Sequence, residues 1–369
     1  YLMKTAAKRQ GQKEEIVILT ATSGDTGKAA LEGFANVDGV KIMVFFPEDG
    51  VSPVQKLQMT TQEGENTCVV GIKGNFDDAQ SAVKRMFTDE KLQEALAAKG
   101  YRFSSANSIN IGRLVPQIVY YYWAYIQAVQ AGEIAWGDKL NATVPTGNFG
   151  DLLAGWYAAR MGLPIGHFVC ASNDNKVLYD FFRTGTYDKN RPFYVTVSPS
   201  MDILISSNLE RLLCHMGGQD KTKAEMAALQ ANGVYQTDIT QTDISAEYAT
   251  QEETFAAIRE VYAKTGYVID PHTAVAYAAY RKYRQESGDQ TPMVIVSTAS
   301  PYKFTKDVMT ALDARYANGD AFALMQELEN VSKISIPAPI RGLKDRPIRH
   351  TRVCEKENIQ DTVKEWLLS

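Results

Sequence analysis

The sequence predicts an α/β protein built on open parallel sheets in two domains, and three observations carry that prediction. Apolar runs of strand length alternate with helix-patterned stretches along most of the 369 residues, the order expected of βα units. Two of the strand-to-helix joints, at 17–34 and 141–156, share one arrangement: a short apolar strand, a turn of glycines and small polar residues, then helix formers. The length also exceeds what one hydrophobic core usually organises, so two domains are expected.

Taken in order, Ile16, Val17, Ile18 and Leu19 make the first strand behind polar Glu14 and Glu15, and Lys28-Ala29-Ala30-Leu31 resumes as a helix. A strand follows at 41–46, a helix at 52–61 with Pro53 in its first turn, a strand at 68–72 and a helix at 76–87, each bounded by short polar joints. A strand at 102–104 leads through a polar stretch into a long helix from Ile111 to about Gln130. Its Tyr120, Tyr121, Tyr122, Trp123 and Tyr125 read as packing residues. A second series opens at Ala142, with strands at 167–171 and 293–297 and helices near 151–162, 202–214, 221–231, 246–264, 272–286 and 303–316. The domain seam is placed near Arg113, giving a smaller domain 1–112 and a larger domain 113–330. The remainder, 331–369, carries Pro337, Pro339 and Pro347 among basic residues, then an amphipathic helix at 357–368. It reads as a surface-wrapping arm, with a subunit contact as the alternative.

The chemistry-bearing residues sit at strand ends. Thr22-Ser23-Gly24-Asp25-Thr26-Gly27 places three hydroxyls and two glycines at a helix N-terminus, where open N–H groups and the positive end of the dipole attract small anions. A plain strand-to-helix turn with a cap is the alternative. Thr146-Gly147-Asn148-Phe149-Gly150-Asp151 repeats the grammar with glycines three apart, a compactness suited to one phosphate monoester. Neither loop has the spacing of a P-loop or of the dinucleotide fingerprint. A third strand ends in Val296-Ser297-Thr298-Ala299-Ser300. Ligands bind at that edge of open parallel sheets, so one cleft between the two domains is expected. Arg113, following Asn107 and Ser108, offers a planar fork for a second phosphate or a carboxylate, with a surface residue as the alternative.

Composition narrows the partners. At 45% hydrophobic, 22% charged and a net charge of −4, with no basic tract, nucleic acid is not an expected partner. No apolar run has membrane-spanning length and no secretory leader is recognisable. The four cysteines, Cys68, Cys170, Cys214 and Cys354, have no metal or redox spacing and read as buried or idle thiols of a cytoplasmic protein. No metal site is expected.

The motifs Thr22-Ser23-Gly24-Asp25-Thr26-Gly27-Lys28, Asn107-Ser108-Ile109-Asn110, Thr146 to Asp151, Asp270-Pro271-His272-Thr273-Ala274 and Ser297-Thr298-Ala299 occur in this order, and over essentially its whole length the chain resembles the long bacterial and fungal type of threonine synthase. The resemblance implies a tryptophan synthase β-like (fold type II) pyridoxal phosphate enzyme that converts O-phosphohomoserine and water into threonine and phosphate. It implies that Gly147, Asn148, Phe149, Gly150 and Asp151 cradle the cofactor phosphate and that Thr298 faces the pyridine nitrogen. A hydroxyl there cannot hold a proton on that nitrogen, which favours elimination and replacement over transamination. Asp25 stands where related enzymes put an asparagine against the phenolic oxygen; its carboxyl then has a raised pKa or faces backbone N–H groups. Thr22, Thr26, Asn107, Ser108 and Arg113 match positions that hold the substrate phosphate, with Ser23 and Gly24 near the substrate carboxylate.

The family's Schiff-base lysine lies in a Phe-Lys-Asp motif, and this sequence contains none. The chain opens on Tyr1 and is expected to begin after that lysine. Lys4 and Lys8 are the nearest alternatives and read as solvated helix lysines. His272 reads as a hydrogen-bonded structural residue near the site, and Ser300 stands where several relatives carry His. Rival readings are a threonine or serine dehydratase-like lyase, which needs no second phosphate site, a non-catalytic phospho-ligand-binding protein, and a nicotinamide dehydrogenase, which the glycine spacings disfavour. The oligomeric state is left open.

Overall fold

The computed structural model describes residues 2–108, 110–239 and 242–368. The strands among them are β1 (Glu15–Ala21), β2 (Val40–Pro47), β3 (Thr67–Lys73), β4 (Tyr101–Ser105), β5 (Leu140–Pro145), β6 (Ile165–Ser172), β7 (Thr186–Asp188), β8 (Val234–Gln236), β9 (Ile244–Tyr248), β10 (Met293–Ile295) and β11 (Arg352–Glu355). The chain divides into two units, Tyr1–Asn107 with Ala338–Ser369, and Ser108–Pro337.

The first unit holds a 5-stranded sheet in the order β11-β3-β2-β1-β4, every pair parallel. Val17, Ile18 and Leu19 of β1 and Ile42, Met43, Val44 and Phe45 of β2 are fully buried. Consecutive burial is what a strand covered on both faces requires, and it accounts for the unbroken apolar runs of these strands. Leu31 and Met59, from the helices Asp25–Phe34 and Pro53–Thr60, pack onto one face with Ile16, Ile18, Ile42 and Val44. Ser52 and Gln55 form a capping box that starts the second of those helices, with Pro53 in its first turn.

The tail departs from the expected arm. β11 pairs with β3 from Arg352↔Val70 to Glu355↔Lys73, and the helix Ile359–Leu368 buries Ile359, Val363 and Leu367. Those residues recur every four positions, so one helix face is apolar and is absorbed into the first unit. The strand ahead of it, Arg-Val-Cys-Glu, is too short and polar to be legible as a strand. The unit boundaries accordingly fall at 107/108 and 337/338, not at 112/113 and 330/331.

The second unit holds a 4-stranded sheet, β10-β5-β6-β9, and a separate β7-β8 pair. The larger sheet is parallel throughout and the pair antiparallel. Val275, Ala276 and Ala279 of the helix Pro271–Ser287 pack on Val169 and Ala171 of β6. Several expected helices are shorter or broken. The one expected at 111–130 is interrupted by the 3-10 turn Val115–Gln117, separating Ile111–Leu114 from Ile118–Gln130; Pro116 lacks the N–H an unbroken helix needs. Of its aromatics, Tyr121 and Tyr125 are buried, whereas Tyr120 and Trp123 are 61% and 62% exposed. Residues 244–248 belong to β9 before the helix Gln251–Thr265 starts behind the Thr250–Glu253 capping box. The helix expected at 303–316 is confined to Thr305–Leu312, between two 3-10 turns. Cys170 is buried, Cys68 and Cys354 are half-buried and Cys214 is exposed, all as free thiols. Among the described residues no helix is long and apolar enough to cross a membrane.

Candidate active site

In the first unit the turn after β1 is closed by Thr22. This residue is 1% exposed, and its Oγ1 accepts the N–H groups of Gly24 at 2.9 Å and Gly27 at 2.8 Å. Gly24 has φ 131°, a conformation that L side chains rarely adopt, and a Cβ there would stand 2.4 Å from the Gln55 side chain. A Cβ on Gly27 would meet Thr22 Cγ2 at 2.4 Å. Both glycines are therefore demanded by the turn itself. Asp25 is the first residue of the helix Asp25–Phe34, and its Oδ1 accepts Gln55 Nε2 at 2.9 Å. A side-chain amide thus contacts the carboxylate expected to meet a phenolic oxygen or backbone N–H groups. Ser23 and Thr26 are half-buried in the same turn. Lys28 leaves it, donating to Glu32 Oε2 at 2.8 Å.

Asn107 is 4% exposed and spans one backbone residue with its amide: Oδ1 accepts Ala21 N–H at 3.0 Å and Nδ2 donates to Ala21 O at 2.6 Å. It extends the β1–β4 ladder beyond Leu19↔Ser105 and so braces the strand end that carries Thr22. Ile109 of the same motif lies outside the described residues. Ser108 opens the second unit, its Oγ 3.3 Å from Ser207 Oγ. Arg113 is half-buried in the short helix that Asn110 caps, and burial lowers its pKa. A guanidinium with part of its water removed attracts an anion more strongly than a fully solvated one.

In the second unit the helix Gly150–Arg160 begins at Phe149, which has φ 63° and ψ 2°. A left-handed aromatic costs about 1–3 kcal/mol; here the ring is 1% exposed and stacks on Phe182 at 5.9 Å. The preceding carbonyls are occupied: Gly147 O accepts Ser206 Oγ at 2.8 Å, and Asn148 O accepts Asn208 Nδ2 at 3.0 Å and Asn208 N at 3.1 Å. Ser207 Oγ donates to Asn148 Oδ1 at 3.2 Å. By contrast, the N–H groups of Phe149, Gly150 and Asp151 find no acceptor among the described residues. A Cβ on Gly147 would lie 2.4 Å from Ser200 O, so the loop is pressed against the 199–201 segment. Carbonyls tied back, N–H groups left open and a helix N-terminus behind them form a donor set that fits a phosphate dianion.

The Asp151 carboxyl is turned onto Tyr121, whose hydroxyl donates to Asp151 Oδ1 at 3.1 Å and to Asp151 O at 2.9 Å. Burial pushes this carboxyl up to about 6, and the Tyr121 hydrogen bond opposes the rise. Asp151 therefore shapes the loop from behind, while its backbone N–H belongs to the donor set.

Asp270 caps the helix Pro271–Ser287 by accepting His272 N–H, and its Oδ1 lies 2.9 Å from His272 Nδ1. His272 Nε2 faces Ser200 N–H at 3.2 Å. A backbone N–H only donates, so Nε2 is the acceptor and the ring proton sits on Nδ1, directed at Asp270. His272 is consequently a bridging residue, 1% exposed. Thr273 Oγ1 bonds Asp270 Oδ2 and, at 3.1 Å, Ser297 Oγ. Thr298 follows as an exposed residue in the segment after β10, and Ser300 caps the turn Pro301–Phe304. Lys4 and Lys8 are exposed on the helix Leu2–Arg9, Lys4 pairing with Asp38 at 3.4 Å.

Sequence reasoning missed Ser206, Ser207 and Asn208 by placing them in a helix at 202–214. The helix starts at Leu209, because these three side chains bond the 147–148 backbone and Asn148. Three consecutive short polar residues that compete for backbone partners were the available signal.

Comparisons with known proteins bear on the same residues. The profile of the family described as "Pyridoxal-phosphate dependent enzyme" matches residues 1–299, and that described as "Threonine synthase, C-terminal" matches 273–365. The chain is 42% identical over 317 residues to "Threonine synthase-like 1" of Homo sapiens, covering 82% of this chain and 42% of that protein. It is 42% identical over 305 residues to "Threonine synthase" of Pseudomonas aeruginosa, covering 81% and 62%. The chain thus spans less than half the length of the first relative and under two thirds of the second. Among solved structures, PLP-bound threonine synthase from Brucella melitensis superposes with TM-score 0.80 at 37% identity, covering 99% of this chain and 72% of that one. Threonine synthase from yeast superposes with TM-score 0.81 at 31% identity, covering 100% and 74%.

Proposed function

We propose, for a chain that belongs to the threonine synthase family of pyridoxal-phosphate dependent enzymes, the conversion of O-phospho-L-homoserine and water into L-threonine and inorganic phosphate. Pyridoxal phosphate is the family's cofactor. The reading rests first on the 147–151 loop, where the open N–H groups of Phe149, Gly150 and Asp151 would hold the cofactor phosphate. When bound, the cofactor supplies the electron sink that lets protons leave carbon. Thr298 would meet its ring nitrogen with a neutral hydroxyl, which leaves that nitrogen without a forced proton and favours elimination and replacement. Asp25, steered by Gln55, would stand beside the phenolic oxygen.

For the substrate, the resemblance implies that Arg113 would supply charge and that Thr22, Thr26 and Ser108 would supply hydroxyls to the phosphate. Asn107 acts on this set by fixing Ala21, next to Thr22. Ser23 and Gly24 would receive the carboxylate. Neither Lys4 nor Lys8 is assigned the proton transfers, since both are exposed helix residues. The free thiols fit a reducing compartment such as the cytoplasm.

Arg113→Leu tests the substrate. The expected outcome is a rise of about 100-fold in the dissociation constant of O-phosphohomoserine, the scale of a lost charge-assisted contact, with cofactor affinity held within about twofold. Equal loss of both would remove the substrate assignment and favour a lyase whose substrate carries no phosphate.

A further inference from the structure

Asp270, His272 and Thr273 lie on the first turn of one helix, and their buried side chains reach two separate segments of the second unit. His272 Nε2 takes the N–H of Ser200 at 3.2 Å, and the carbonyl of Ser200 is the atom against which Gly147 is packed. Thr273 Oγ1 reaches Ser297 Oγ at 3.1 Å, one residue before Thr298. Asp270 joins the two, with Oδ1 on His272 Nδ1 and Oδ2 on Thr273 Oγ1. All three are buried: Asp270 and His272 are 1% exposed and Thr273 6%. The Phe304 ring meets the imidazole in an edge contact, with ring centroids 5.0 Å apart.

We infer that the Asp270–His272–Thr273 cluster is a positioning device for pyridoxal phosphate. One arm sets the back wall of the phosphate loop through Ser200, and the other sets the Ser297–Thr298 segment that meets the ring nitrogen. The inference rests on the proposed placement of the cofactor phosphate at 147–151 and of its ring nitrogen at Thr298. None of the three residues touches the cofactor in this scheme; each acts through another group.

The physical argument is one of fixed length. A phosphate and a ring nitrogen are opposite ends of a rigid aromatic ligand, and a protein gains affinity from both only if the two receiving groups are held at a set separation. Loops alone hold such a separation poorly. Here both receiving segments are tied to adjacent residues of a single helical turn, and the shared carboxylate of Asp270 fixes both side-chain rotamers. The pairing also fixes the ring tautomer, because a proton on Nε2 would oppose the N–H of Ser200.

The two arms separate in a binding experiment with the chain as it stands. Trp156, in the helix that starts at the phosphate loop, reports binding of pyridoxal phosphate and of pyridoxal, which lacks the phosphate, by fluorescence quenching. His272→Phe is expected to weaken pyridoxal phosphate about tenfold and leave pyridoxal unchanged. Thr273→Val is expected to weaken both by a similar factor, and Thr273→Ser to restore them. Thermal melts of each variant check that the fold persists, since a merely structural role would shift melting without changing the ratio of the two affinities. An unchanged ratio in His272→Phe, or failure of Thr273→Ser to restore binding, overturns the inference. Equal wild-type affinity for the two ligands would instead remove the phosphate-loop placement, and the inference with it.

Discussion

Asp151 shows how a residue can belong to a site without presenting its side chain to the ligand. Burial holds its carboxyl near pKa 6 in spite of the Tyr121 hydrogen bond, above its ordinary value, so the folded state keeps a proton that the unfolded chain has lost. The resulting stability is present below pH 3.8, declines as pH rises through the interval, and is gone above about 6. Asp151→Asn should therefore match the wild type at pH 4 and exceed it at pH 8, by at most about 3 kcal/mol. Urea unfolding at the two pH values measures the difference, and an equal gain at both would mean that ionisation plays no part. At this scale the residue types are legible in the sequence but their directions are not. The resemblance implies Thr22 and Asn107 as ligands of the substrate phosphate; the structure spends much of their capacity on the backbone of Gly24, Gly27 and Ala21. A sequence shows a donor, and only the fold shows what it donates to.

Among the elements, the helix Gly150–Arg160 depends on a contact that its own composition conceals. Gly155 lies in its interior, where glycine weakens a helix, yet a Cβ there would stand 2.6 Å from the Tyr121 ring and 2.7 Å from Phe168. Gly155→Ala should thus destabilise by about 1–3 kcal/mol through overpacking, although propensity alone predicts a small gain. A thermal melt decides the sign. Strands buried on both faces, such as β1 and β2, are readable because a continuous apolar run bounded by polar joints suits a doubly covered strand better than a half-exposed element. Helix starts are readable where a capping box or proline marks them, as at Ser52. The segment 202–208 is not, since its pattern suits a helix and its loop conformation comes from partners some sixty positions away, as in the bond from Asn208 to Asn148.

For the molecule as a whole, the C-terminal residues are part of a core. Leu367 is 5% exposed, and Leu367→Ala should cost about 2–4 kcal/mol, as for a cavity in a packed interior. A surface-wrapping arm would lose well under 1 kcal/mol, so denaturant unfolding separates the two descriptions. The α/β class and the family are accessible from sequence because motif order survives in the linear chain. The assembly of the first unit is not, since the β3–β11 pairing joins residues as distant as Lys73 and Glu355, separated by 282 positions, and no local pattern encodes that.

That pairing also orders events in time. The second unit is contiguous, from Ser108 to Pro337, and all its pairing partners have been synthesised before β11 exists. The sheet of the first unit must wait, with the outer edge of β3 unpaired, until Arg352 to Glu355 have left the ribosome. Nascent chains that stall before Arg352 would carry an open strand edge, the kind of surface that recruits holdase chaperones or another chain in the same condition.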